Sequence, residues 1–108
     1  MSADYDVELD GTLGAWMHVE FTTVRRDVVD YSIVLLVEVD GGLETVRLYD
    51  GAHGENEMHR YTRKSGKQPA EIVHHGDLGA GMRAAIDEIE QRYEAMIELS
   101  LIHISLLG

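Results

Sequence analysis

Cysteine is absent from the 108 residues, proline occurs once, and lysine and arginine together number only 9 against 20 acids. Without cysteine there is neither a disulfide framework nor a thiolate metal site, which suits a reducing compartment. No apolar run approaches the ~18 residues needed to cross a bilayer. No basic start followed by an apolar stretch opens the chain, so neither a secretory signal nor a membrane partner is expected and the expected location is the cytoplasm. A net charge of -11 opposes a broad nucleic-acid interface, because polyanions bind through Lys and Arg that displace counterions. The glycines frame no serine elbow and no P-loop lysine, which removes two common nucleophile and phosphate motifs.

What is present reads as one folded α+β domain, residues 1–108. Hydrophobic residues make up 44% and charged residues 27%, so the chain can bury a core and stay soluble in part through its acids. Residues 5–10 and 15–22 read as a first hairpin around a Gly11 to Gly14 turn. Trp16, His18 and Glu20 fall on one face of it, with Met17, Val19 and Phe21 on the other. Residues 31–39 form the strongest strand, placed centrally because Val34 and Leu36 make its second face apolar as well. Asp40-Gly41-Gly42 supplies a tight turn and residues 43–50 return antiparallel, with Arg47 and Tyr49 on one face and Val46 and Leu48 on the other. After Pro69, residues 70–75 read as one more short strand.

From Asp77 the period changes. Met82, Ile86, Ile89, Tyr93 and Met96 recur at helical spacing with charged residues between them, so an amphipathic helix over about residues 78–99 is expected, capped by Asp77. The expected architecture is an antiparallel sheet of four to five strands with this C-terminal helix packed on one face. The apolar tail, residues 101–108, leaves the helical pattern. It reads as a last strand, a subunit contact or a cloning remnant, and a subunit contact would make the protein a dimer.

The segment from Tyr49 to Lys67 does not read as plain architecture. It is expected to be a loop leaving the sheet, a place where functional side chains concentrate. From His59 to His75 the chain carries a local charge of +3, against -14 over the rest. A phosphodiester cleaved without metal needs a base, an acid and a cation. Imidazole suits the first two roles near neutral pH, and guanidinium suits the third because its fork matches phosphate oxygens. His59 and His53 are therefore candidate proton carriers, Asp50 a carboxylate to orient one of them, Arg60 a stabiliser of phosphate charge, and Tyr61 a platform for a base. Arg63, Lys64, Lys67, His74 and His75 are candidate RNA contacts, the two histidines lying beside a glycine-rich helix start whose free amides could hold an anion. The plainer alternative is that these side chains bond to the loop's own carbonyls and to acids such as Glu55 and Glu57. Asp50, His53, His59 and one of His74 or His75 could offer mixed nitrogen and oxygen ligands, but the familiar metal-binding spacings are missing and no metal or other cofactor is expected.

"DYSIVLLVEVDGGLETVRLYDGAHGENEMHRY", followed by a basic segment and "LGAGMRAAIDEIEQRYEAMI", resembles the TumE-type toxin family of prokaryotic toxin-antitoxin modules. Tyr49-Asp50, Gly54, His59-Arg60 and Tyr61 carry the resemblance. Gly51 stands where that family usually has asparagine, and Met58-His59-Arg60 keeps one histidine of a usual pair. The resemblance implies a small toxin that acts on RNA and is held by a helix-turn-helix antitoxin. The alternative is a non-enzymatic interaction module that dimerises or docks an acidic partner on its basic segment.

Overall fold

The computed structural model describes the backbone of residues 1–107 and the side chains of residues 1–101. Seven strands precede one helix: β1 (Ser2–Asp10), β2 (Ala15–Val24), β3 (Asp27–Val39), β4 (Gly42–Asp50), β5 (Asn56–Thr62), β6 (Gly66–Lys67), β7 (Glu71–His74) and α1 (Leu78–Leu107). The fold is α+β, as its sequence pattern implies, with more strands than the four to five expected. Strands β1 to β6 follow one another as an antiparallel meander, and β7 returns to pair with β5. Helix α1 lies across one face, against β3, β4 and β5.

Alternation along the strands builds the core. Ala15, Met17 and Val19 of β2, and Tyr31, Ile33, Leu35 and Val37 of β3, are buried against Ala85, Ile89, Met96 and Ile97 of α1. Ile86 and Tyr93 pack at the edge of that cluster. The expected helix stripe and the central place of β3 both hold. Asp77 caps the helix, its Oδ1 accepting from the Ala80 amide at 2.7 Å.

Three expectations are corrected, and one turn is new. A bulge between Leu35 and Leu36 shifts the β3–β4 register, so Val46 joins Arg47 and Tyr49 on the buried side instead of alternating away from them. Much of the segment from Tyr49 to Lys67 is sheet, because β5 and β6 lie within it. The helix does not stop near Leu99 but continues to Leu107, so the tail is not a strand. Leu101 packs beside the core; the side chains of residues 102–108, on which the subunit-contact expectation rests, lie outside those described. Lastly, β2 and β3 are joined by a two-residue turn at Arg25 and Arg26, which hold φ values of 52° and 74°. Primed hairpin turns demand such values and usually recruit Asn or Gly, so this turn is unmarked in the sequence.

Asn56 ties the helix start to the sheet. It is 1% exposed. Its Oδ1 accepts from the Tyr31 hydroxyl at 2.7 Å, while its Nδ2 faces the carbonyls of Gly76 at 3.1 Å, His74 at 3.3 Å and Asp77 at 3.4 Å. Carbonyls only accept, which fixes the orientation of the amide. Burial, and then the nearby Asp50 charge, push the Tyr31 phenol up to about 12, so it stays a donor to Asn56.

Candidate functional site

The face of the sheet opposite α1 is left uncovered by the described elements. Strand register sets its side chains in rows. One row runs Asp4, Glu20, Ser32, Asp50, Glu57 across β1 to β5, and the next runs Asp6, His18, Val34, Leu48, His59. Glu8, Trp16, Leu36 and Thr45 form a third. With Asp30 and Glu38 of β3, eight carboxylates stand on this face, and strands β1 to β4 put neither lysine nor arginine on it. Asp4 lies directly opposite Glu20, and Asp50 directly opposite Glu57. Like charges directly across a sheet destabilise it, so these pairs are not explained by folding. Trp16, Val34, Leu36 and Leu48 give the face a half-buried apolar centre.

Two histidines sit on this face in different settings. His18 places Nδ1 at 2.5 Å from Asp6 Oδ1 and Nε2 at 3.0 Å from Glu20 Oε1. Carboxylates accept on both sides, so the ring is held as imidazolium, and the Glu20 bond followed by the Asp6 bond raises its pKa above the ordinary 6.5. His59 places Nδ1 at 3.0 Å from the Gln68 carbonyl. That nitrogen must donate, which leaves Nε2 turned toward Asp50, 3.8 Å from its Oδ2. His59 and Asp50 are both mostly buried, at 15% side-chain exposure each, a setting in which a proton carrier could work.

The His18 contacts predict a pH effect with a definite sign. A raised folded-state pKa gives stabilisation that is complete below about 6.5 and is lost as pH rises through the higher folded value. Thermal melts in EDTA should therefore show Tm falling between about pH 6 and pH 8, with a total loss below ~1 kcal/mol because the group is partly exposed. His18→Gln should flatten that part of the profile. Identical profiles for the two proteins would contradict the assignment.

The structure brings some of the sequence candidates together and separates others. Asp50 and His59 meet across β4 and β5. His53, in the 51–55 turn and 81% exposed, binds Glu57 at 3.1 Å, so it borders the same face without touching His59's partners. Arg60 alternates to the opposite face, beside Arg47, and its Nε donates to Glu71 at 3.0 Å. Arg63 is forked onto Glu44, with Nε to Oε2 at 2.7 Å, which holds the Glu44 carboxyl below its ordinary range. Tyr61 is half-buried and its carbonyl accepts from Ser100 Oγ at 2.7 Å. Lys64 is exposed in the β5–β6 turn and Lys67 is exposed on β6. His74 ends β7 with its carbonyl on Asn56, and His75 is exposed beyond it. At the helix start Asp77 occupies the Ala80 amide, which removes the simplest anion position there.

The sequence reading missed the acidic rows because they depend on register. Aspartate at alternate positions of β1 and the His18–Glu20 spacing of β2 were visible, but only the pairing of the hairpin sets Asp4 and Asp6 against them.

A profile for a domain of unknown function, DUF7718, matches residues 2–99. The chain belongs to that family. The match spans all seven strands and the helix as far as Leu99, so the acidic face lies wholly within the DUF7718 domain. Neither the curated proteins nor the solved structures offer a match. Nothing in the DUF7718 match links the chain to TumE-type toxins.

Proposed function

We propose that this DUF7718 domain is a binding module whose uncovered sheet face receives a positively charged polypeptide partner. The observation that carries the reading is the opposition of like charges at Asp4–Glu20 and Asp50–Glu57 around an apolar centre. A basic partner relieves that repulsion on binding, whereas a second copy of the same face would add to it, so dimerisation through this face is disfavoured. The partner's sign is opposite to the one the basic segment suggests, because Arg60 and Arg63 are already matched by Glu71 and Glu44. No helix among the described residues is long and apolar enough to cross a membrane, and the reading invokes no membrane.

A second reading is metal-independent RNA cleavage by a toxin paired with a helix-turn-helix antitoxin. The His59–Asp50 pair, with its Nδ1 held by Gln68, favours it. Against it stand the seven other carboxylates of that face, which repel phosphate, and the placing of Arg60 on the far face. Trp16, the chain's only tryptophan, lies on the acidic face and reports on both readings. Titration in EDTA with an oligolysine peptide should change its fluorescence saturably, whereas a mixed-sequence RNA oligonucleotide should leave it unchanged and remain uncut. RNA cut by the wild type and spared by His59→Ala would favour the toxin. A flat response to the peptide would overturn the module.

A further inference from the structure

On the β1–β2 hairpin two carboxylates of the acidic row meet a histidine. Asp4, His18 and Glu20 bring one donor atom each within 4.8 Å of one another. They stand on two directly paired strands, so the backbone that presents them is rigid on the scale of the site. We infer that Asp4, His18 and Glu20 form a binding site for a divalent transition-metal ion of the zinc class.

The arrangement has the parts such a site requires. A zinc ion takes imidazole nitrogen and carboxylate oxygen at ~2.0–2.2 Å, so the three donors, now within 4.8 Å of one another, draw closer around it. His18 Nε2 faces Glu20, and Asp6 holds Nδ1 at 2.5 Å from the other side. A carboxylate on the far nitrogen of a ligating histidine orients the ring and raises its basicity, the outer-shell pattern of many zinc sites. The ion takes the place of the Nε2 proton, which leaves to solvent, and Glu20 turns from hydrogen-bond acceptor to ligand. Among the described residues the Asp4 carboxylate makes neither a hydrogen bond nor an ion pair, whereas Asp6 and Glu20 beside it are both engaged by His18. Asp4 and Glu20, though not His18, also line a depression together with Asp30 and Ser32. One nitrogen among the donors sets the selectivity, since magnesium and calcium prefer oxygen throughout.

The site shares Asp4 and Glu20 with the partner proposal, but its test needs only the isolated protein and the metal. Calorimetric titration of the full chain with zinc chloride, followed in parallel with cobalt(II) absorption and Trp16 quenching by nickel(II), tests it. One zinc should bind per chain, with magnesium giving no heat. Asp4→Asn and His18→Ala should each lower affinity at least ~10-fold, and Asp6→Asn should lower it ~10-fold to 100-fold through the ring's orientation. Asp4 is exposed, so its variant should keep the fold. Absence of zinc binding by the wild type, equal binding by Asp4→Asn and His18→Ala, or loss on His59→Ala instead would overturn the proposal.

Discussion

Gly81→Ala should destabilise the protein by ~3 kcal/mol, although alanine is the better helix former by about 1 kcal/mol. Gly81 is buried on the first turn of α1, where a Cβ would fall inside the Asn56 amide. That amide cannot swing aside freely, because it serves the Tyr31 hydroxyl and the carbonyls that lead into the helix. The variant must either push the helix off the sheet or leave buried polar groups unpaired, at ~1–3 kcal/mol each. For a domain of this size the loss corresponds to a Tm fall of more than ~10 °C. Asn56→Ala should cost a similar amount by orphaning the same partners. In the double variant the two methyl-sized side chains fit, so the combined loss should be smaller than the sum of the single losses. Circular dichroism melts of the four proteins check this; a neutral Gly81→Ala, or strict additivity, would contradict the role given to Asn56.

The second large effect concerns the acidic face. Replacing Glu20, Asp50 and Glu57 by Gln, Asn and Gln removes three charges from one cross-strand row without changing side-chain size. Each charge contributes ~0.2–1 kcal/mol to an exposed ion pair with a basic peptide. The triple variant should therefore bind oligolysine about threefold to a hundredfold more weakly. Its thermal stability should rise or hold, because the opposition of Asp50 to Glu57 and of Glu20 to Asp4 disappears. Raising the salt from ~0.05 M to ~1 M shortens the screening length to ~3 Å and should weaken the wild type more than the variant. Loss of stability together with unchanged binding would mean that the carboxylates are structural.

The elements that could be read from sequence were those whose signal is local. The alternation of Tyr31, Ile33, Leu35 and Val37, the Asp40-Gly41 turn with φ values of 51° and 82°, and the helix stripe through Ile89 and Met96 are set by neighbours in the chain. The Arg25-Arg26 turn was not legible, because arginine is a poor residue for the conformation it holds there. Strand β5 reads as loop in the sequence because its buried positions are Asn56 and Met58, and an asparagine becomes a core residue only through partners brought from β3 and the helix start. The candidate site was half legible. Asp50 and His59 lie 3.8 Å apart across β4 and β5, but strand alternation sends Arg60 to the other face. The acidic rows needed four strand registers at once, which residue spacing does not encode.

The most direct measurement of the central claim is an amide chemical-shift map of the ¹⁵N-labelled protein titrated with oligolysine. The account predicts that shifts concentrate on Asp4, His18, Glu20, Ser32, Leu48, Asp50 and Glu57, and that residues on the helix side, such as Arg60 and Arg92, stay still. Shifts confined to the helix side or to Arg63, Lys64 and Lys67, or produced by RNA and not by the peptide, would contradict it.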